Sequence, residues 1–466
     1  MNLARFEAPW SPFDTAAEIP APFAVLGASN GRLFAGPPRS VGPERFDSHA
    51  SRLGPVRVED LDPARLRQVI DDSRLLGRGG GEFPVSAKLK AAAASSGAPL
   101  IVANGSESEP ASRKDRDLVE LRPHLVLDGA LVAARAAGAS DIVLYLHSQS
   151  DPARGPEAAI RRALAERPAG ELPVRLVVGP PRYVAGESSA IVSYLEGFGA
   201  LPRRRRDPAA VSGVHGRPTV VSNVETLAHL ALIARFGAEW FTEAGQPRSP
   251  GSTLVTLAGE VPTSGEVVEV LEPMPIGDLL SSIGGLDDVP RAVLVGGYAG
   301  TWIDGSTAWS TPLDRAGLSA GGAPLGCGLV ASLSEGSCGV STTARLVRWM
   351  AGESAGQCGP CALGLPAVSQ LLDAIAAGQA TMSDLRRLGQ LMPSLRNRGA
   401  CGLPTGLVGL VESALDTFSD EVRRHIRGKS CGAATTGFPL SGINDASDRT
   451  EDATGMSAAQ IAEARW

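Results

Sequence analysis

The run Pro99-Leu100-Ile101-Val102-Ala103 carries no polar side chain and is bracketed by two unlike loops. An apolar run this short, bounded by turn signals, fits a strand buried on both faces, as in a parallel sheet covered by helices. Upstream lies Gly77-Arg78-Gly79-Gly80-Gly81-Glu82-Phe83-Pro84. This glycine-rich turn follows an amphipathic pattern (Leu66, Val69, Ile70) and leads into a second helix carrying Lys88. Downstream lies Asn104-Gly105-Ser106-Glu107-Ser108-Glu109-Pro110. Consecutive glycines let a backbone come close to a phosphate and turn its N–H groups toward the anion. Asn and Glu side chains at the carboxyl end of a strand suit the polar edge of a planar ring. A glycine run by itself is a common flexible turn. Its pairing with the polar strand-end loop is what points to a binding site.

Around this unit, residues 58–245 alternate helical and strand patterns. Asp62-Pro63 reads as an N-cap with proline in the first turn. Strand runs include Asp141 to Tyr145 and Pro173 to Val178, and helical runs include Pro156 to Glu166 and Ser188 to Leu195. The alternation predicts an α/β Rossmann-like sheet with helices on its faces. From Pro250 the pattern changes to strand (Leu254 to Val261), turn, strand (Val267 to Val270), short helix (Ile276 to Ile283) and strand (Arg291 to Gly297). Residues 337–428 read as mostly helical. The first 50 residues lack periodicity and read as a surface wrap, and 432–466 as a flexible polar tail.

At 466 residues and 43 % hydrophobic content the chain can build two to four globular domains. A net charge of −6 gives no reason to expect a nucleic-acid partner. No apolar run reaches membrane-spanning length and the N-terminus has no signal-peptide layout, so a cytoplasmic protein without direct membrane insertion is expected. Any membrane association would then run through a partner. All six cysteines follow residue 326. Clustered cysteines in a reducing compartment point to a metal site rather than disulfides.

The two loops resemble G-R-G-G-A-G-F-P-T-G-x-K and N-A-D-E-S-E-P-G-[ST]-F-K-D-R, motifs of the flavin-binding subunit of respiratory NADH:quinone oxidoreductase. That family includes the flavin subunits of NAD-linked hydrogenases and formate dehydrogenases. The second motif continues here as Ala111-Ser112-Arg113-Lys114-Asp115-Arg116. Tyr183-Val184-Ala185-Gly186-Glu187 is similar to Y-I-C-G-E, and Thr219 to Thr226 to T-T-x-N-N-V-E-T. Glu353-Ser354-Ala355-Gly356-Gln357-Cys358-Gly359-Pro360-Cys361 is similar to E-S-C-G-x-C-x-P-C. The match runs in the family's order from about residue 60 to about residue 430.

The resemblance implies five segments: an N-terminal extension (1–57), an FMN domain (58–248), a small β-grasp, or ubiquitin-like, domain (249–336), a helical iron–sulfur bundle (337–430) and a tail (431–466). It implies a phosphate cradle from Gly77, Arg78, Gly79, Gly80 and Lys88, with Ser222 and Asn223 nearby. Ring contacts fall to Asn104, Ser106, Glu107, Gly186 and Glu187, with Tyr183 beside the ring. Phe83 matches an aromatic that stacks on the nucleotide's adenine, and Glu109 the catalytic residue that meets the nicotinamide.

Two sites depart from the family. The cluster triplet reads Ala355, Cys358, Cys361, with Cys401 as the late ligand, so three of four thiolates remain. A 3Fe–4S cluster needs only three. A 4Fe–4S cluster would take Ser354, water or another cysteine, Cys431 included, as its fourth ligand. A relic site without iron is the alternative. Cys327 and Cys338 fall outside the ligand set and read as core fillers.

On the nicotinamide side, Ala91 and Pro208 stand where the family has aromatics, Glu82 replaces a loop glycine, and Ser188 replaces a glutamate. The run Arg203 to Arg206 is new. A lost carboxylate and gained arginines favour NADPH over NADH. Lost stacking and Glu82 favour a weakened nucleotide site.

The implied function is an NAD(P)H dehydrogenase subunit that passes electrons through FMN and a cluster to an iron–sulfur partner. That partner would be a two-iron ferredoxin-like subunit or a larger iron–sulfur protein. The rival is an assembly or relay subunit that no longer uses nicotinamide.

Overall fold

The computed structural model describes residues 25–26, 31–429 and 431–433, apart from 55, 57, 149–152 and 205. The expected tail from residue 434 on, Arg205 and most of the N-terminal wrap lie outside the described residues.

In chain order the first half runs β1 (Val25–Leu26), α1 (Phe46–Leu53), α2 (Pro63–Asp72), α3 (Val85–Ala94), β2 (Leu100–Asn104), α4 (Lys114–Leu121), α5 (Pro123–Ala137), β3 (Asp141–His147), α6 (Gly155–Glu166), β4 (Val174–Gly179), α7 (Ser188–Leu195), β5 (Thr219–Asn223) and α8 (Val224–Thr242). Asp62 caps α2 as its sequence suggests: the carboxylate accepts from the Arg65 N–H at 2.7 Å. Strands β2 to β5 form one parallel sheet in the order β4-β3-β2-β5. The order reverses between β2 and β5, which leaves a crevice at their carboxyl ends. Register places Asn104 beside Asn223 at that crevice.

Helix α5 is apolar nearly all round because it is buried nearly all round, packed on α8 and over the sheet. Its one buried carboxylate, Asp128, meets Arg167 (2.7 Å), His49 (2.8 Å) and Arg235. That network ties α1 and the α6–β4 connection to the sheet's helical layer.

After a short ribbon of β6 (Gly245–Gln246) and β7 (Ser249–Pro250) come β8 (Thr253–Gly259), β9 (Val267–Val270), α9 (Ile276–Ser282), β10 (Ala292–Val295), β11 (Thr301–Asp304), α10 (Gly305–Ser310), α11 (Arg315–Ala320) and β12 (Leu329–Leu333). With β1 they form a six-stranded mixed sheet, β1-β9-β8-β12-β10-β11. Strand β12 lies parallel to β8, and β8/β9, β10/β12 and β10/β11 are antiparallel.

Both faces of this sheet are apolar. Ala292, Leu294, Leu329, Ala331 and Leu333 face the C-terminal helices, while Val293, Val295 and Val330 face α9. Glu269 on β9 is buried and accepts from the Arg32, Leu33 and Phe34 N–H groups and the Ser252 hydroxyl. The N-terminal segment is thereby pinned to the mixed sheet.

The rest is helical: α12 (Gly339–Gly352), α13 (Leu365–Ala376), α14 (Met382–Leu391), α15 (Leu403–Thr417) and α16 (Ser419–Ile426). Their apolar faces join the inner face of the mixed sheet in one core. No helix among the described residues is long and apolar enough to cross a membrane.

Candidate functional site

The glycine turn closes on itself: the Gly77 N–H bonds the Phe83 carbonyl at 3.0 Å. Gly80 has φ +95°, open to glycine without strain. Glu82, where the family has glycine, is also left-handed at φ +44°. It lines the cleft described next, with its carboxylate paired to Arg315 (3.3 Å) and accepting from Ser319 (3.1 Å), so its charge is offset there. Beyond the turn, α3 starts at Val85 and carries Lys88.

The turn, α3 and the carboxyl ends of β2 and β5 enclose a cleft of about 480 Å³. Its lining includes Gly77, Gly79, Phe83, Lys88, Asn104, Tyr183, Gly186, Glu187, Ser222 and Asn223. Ten of the residues singled out in the sequence thus meet at one place. Phe83 is 52 % exposed, an aromatic face left open over the cleft. The Lys88 ammonium lies 5.8 Å from that ring and 3.4 Å from the Val221 carbonyl, and burial alone holds its pKa below the ordinary value. A half-buried cation with no carboxylate beside it suits an anionic ligand. Helix α8 begins at the same wall, where the Asn223 side chain accepts from the Glu225 N–H at 2.9 Å. Two helix amino ends and a lysine therefore border the cleft, a fitting cradle for a phosphate.

The remaining expected residues stand elsewhere. Arg78 is fully buried. Its N–H donates to Thr226 Oγ1 (2.8 Å) and its guanidinium to the Pro250 carbonyl (2.7 Å), and burial and Arg315 lower its pKa to about 10. Gly80 faces the Gly326–Cys327 backbone. Glu107 accepts from the Ser112 hydroxyl (2.5 Å) and from the Asp115 and Arg116 N–H groups (3.2 and 3.0 Å), organising the start of α4. Burial and Asp115 push its carboxyl up to about 7.

Ser106 donates to Asn104 Oδ1 from its N–H (3.1 Å) and its hydroxyl, while Asn104 Nδ2 donates to the Gly186 carbonyl (3.0 Å). The end of β2 is thereby tied to the Tyr183–Gly186 turn. A Cβ on Gly186 would lie 2.5 Å from Ser108 Oγ, so only glycine fits there. Glu109 is buried behind Tyr183. One oxygen accepts from the Tyr298 N–H at 3.0 Å, the other has no hydrogen-bond partner, and burial pushes the carboxyl up to about 8.

A buried charge network behind the cleft escaped the sequence reading. Lys114 bonds Asp115 (2.7 Å) and Glu225 (2.8 Å), and Asp115 accepts from Asn223 Nδ2 at 2.6 Å. Asn223 is thus fixed from behind by groups on α4 and α8. The signals for them are Lys114-Asp115 in the second motif and Glu225 in the Thr219–Thr226 motif.

The opposite wall includes Cys401 and Leu403, at the entrance to α15. Cys361 lies in a one-turn π-helical segment, Pro360–Gly364, and Cys358 stands two residues before its start. Burial, Cys358 and Cys401 push the Cys361 thiol up to about 12, and the Ser354 hydroxyl hydrogen-bonds it in the opposing sense. Burial also raises Cys401, followed by the charges of Glu187 and Cys358. Hydrogen bonds from Cys361 and the Ala400 backbone outweigh burial and hold the Cys358 thiol below its ordinary value. The three thiols are thus near enough to act on one another, a donor set that suits iron of a cluster with Ser354 at hand. Ala355 packs into the same core, and Cys431 stands apart beside Cys338.

The Tyr183–Gly186 turn joins the two walls. The Tyr183 N–H donates to Glu353 Oε2 at 3.0 Å, Arg182 pairs with the same carboxylate at 3.2 Å, and the Tyr183 ring meets Trp349 edge-on. Ser188 lines the cleft at the start of α7, and the Arg203 guanidinium lies 4.1 Å from the Phe198 ring.

Residues 70–232 match the Nuo51 FMN-binding domain, and residues 341–425 match the NADH-ubiquinone oxidoreductase-F iron-sulfur binding region. The NADH-quinone oxidoreductase F protein of Streptomyces coelicolor is 33 % identical over 397 residues, covering 83 % of this chain and 88 % of that one. The NADP-reducing hydrogenase subunit HndC of Solidesulfovibrio fructosivorans is 29 % identical over 411 residues, covering 84 % and 83 %. Among solved structures, an NAD+-reducing NiFe hydrogenase in the H2-reduced state superposes with a TM-score of 0.71 at 30 % identity, over 79 % of this chain. The chain spans 63 % of that hydrogenase chain. Sequence, both domain matches and fold agree: the chain belongs to the family of NADH-quinone oxidoreductase F subunits.

Proposed function

We propose that this chain is the dehydrogenase subunit of a larger redox assembly, with FMN in the cleft and an iron–sulfur cluster on Cys358, Cys361 and Cys401. The observation that carries this reading is that Cys401 lines the same cleft as Lys88, Phe83 and Asn223. When bound there, FMN and the cluster would supply the conversion of a hydride from NAD(P)H into single electrons. The residues' part is positional. Lys88 and the amino ends of α3 and α8 hold a phosphate. Asn104 and Gly186 keep the turn closed against β2. Phe83 offers a stacking face, and Glu353 fixes Tyr183 between the walls.

Residues 249–336 read as a β-grasp unit: the order β9-β8-β12-β10-β11, with β8 and β12 parallel and α9 following the first hairpin, supports it. We place the segment boundaries at 57, 248, 336 and 430. The acceptor is an iron–sulfur partner subunit, two-iron and ferredoxin-like or larger, and the setting is the cytoplasm. Ser188 at the cleft and the arginines from Arg203 on support better use of NADPH than a glutamate at position 188 would allow.

The test is anaerobic addition of NADH or NADPH to the flavin-loaded protein. Rapid bleaching of the flavin absorbance is expected, with kcat/KM for both cofactors measured with a dye acceptor. A flavin that stays oxidised under both nucleotides would leave the subunit an assembly or relay component.

A further inference from the structure

Four ligand groups converge away from the cleft. Cys338 Sγ, a Glu421 carboxylate oxygen, a His425 ring nitrogen and Cys431 Sγ all lie within 4.8 Å of one another, and the first three residues are buried. We propose that this is a structural zinc site, distinct from the iron–sulfur cluster. Cys338 Sγ is 3.2 Å from Glu421 Oε2 and 3.5 Å from His425 Nε2. A tetrahedral zinc with bonds of about 2.0–2.3 Å has ligand–ligand edges of about 3.3–3.8 Å. The two edges from Cys338 thus lie near that spacing, and the whole set lies within 4.8 Å. A set this tight serves one metal, not a cubane whose thiolates bind separate irons.

The surrounding groups suit ligation. His425 Nδ1 lies 2.9 Å from the Ala376 carbonyl and donates to it, which leaves the Nε2 lone pair aimed at Cys338. Cys338 is the N-cap of α12, and its sulfur accepts from the Ser341 N–H at 3.3 Å, which fixes the sulfur at the start of that helix. Glu421 Oε2 accepts from the Val340 N–H at 3.2 Å, and Glu421 Oε1 is paired with Arg291. Two thiolates and a carboxylate around Zn2+ leave one net negative charge, which Arg291 offsets. All four positions are filled by protein, as in structural rather than catalytic zinc sites. Thiolate and imidazole donors together select zinc over magnesium or calcium. The ion would fasten the chain after α16 to the junction where β12 passes into α12.

The experiment is metal analysis of the full-length protein, purified anaerobically with its flavin and iron. We expect about one zinc per chain, with an X-ray absorption shell of two sulfurs at about 2.3 Å and two nitrogen or oxygen atoms at about 2.0–2.1 Å. Cys431→Ser should lose zinc and keep iron and flavin, and Cys361→Ala should lose iron and keep zinc. Should either variant fail to fold, alkylation of wild-type Cys431 replaces it: protection that a zinc chelator abolishes, with iron retained, supports the site. Protein without zinc after growth and reconstitution in zinc, a mononuclear iron in its place, or a Cys338–Cys431 disulfide would overturn the proposal.

Discussion

Lys88→Met separates the ligand's interest in the cleft from the protein's own. The ammonium is half-buried, it donates to the Val221 carbonyl at 3.4 Å, and burial lowers its pKa. A lysine whose folded pKa lies below its unfolded value costs stability at neutral pH, and the cost fades only as alkaline pH strips the proton from both states. Methionine keeps the stem's packing and removes that cost, so the flavin-free variant should melt at or above the wild-type temperature. With FMN bound the sign reverses. A hydrogen bond from a charged donor is worth about 1.5–3 kcal/mol, so FMN should bind about 10- to 150-fold more weakly. Flavin fluorescence titration of the apoprotein gives Kd, and melting with and without FMN gives the stability arm. A change in Kd below about threefold would refute the phosphate cradle. Equal losses of melting temperature with and without FMN would show a packing defect instead.

Three further outcomes follow from the buried groups. Glu109, pushed up to about 8 by burial, holds a proton in the folded chain that the unfolded chain gives up, so it supports stability at low pH and loses that support as pH rises to 8; Glu109→Gln should flatten this decline, read as melting temperature against pH from 5 to 9. Asp115→Ala leaves the Lys114–Glu225 pair without its third member and frees the Asn223 amide; a loss of about 3–5 kcal/mol in denaturant unfolding is expected, and a loss below about 1 kcal/mol would mean that the network is slack. Ala355→Cys should raise iron from about three to about four per chain with the matching change in paramagnetic resonance, because the thiolate returns at the family's spacing; iron absent from wild type and variant alike would show an empty bundle.

Strands β2 and β3 were readable because burial on both faces leaves them almost wholly apolar, as in Leu100–Ala103 and Ile142–Leu146; β4 was read from its run Val174–Val178 although it is only partly buried, and β5 was not read as a strand. Their order was not readable, since nothing local records that β5 lies beside β2. Strand β11 was missed because only Trp302 of its four residues is buried. Strand β12 was missed because Ala331 and Ser332 break its short apolar run. In the site, the glycine turn and the two asparagines announced themselves through spacing. Lys114, Asp115 and Glu225 did not, because charged residues on a helix read as a solvated face until tertiary packing encloses them. Cys338 read as a core filler for a similar reason: its neighbours Glu421, His425 and Cys431 arrive from the far end of the chain.

The reversal of strand order between β2 and β5 has a consequence for biosynthesis. The cleft takes its floor from strands that meet only after β3 and β4 have been laid down, and its walls run from Gly77 to Leu403. A ribosome-bound chain therefore exposes the glycine turn long before the partner walls exist, and cofactor loading comes late, after Leu403 has emerged. Translation under flavin starvation should accordingly yield a complete subunit that still takes up FMN when the vitamin is restored.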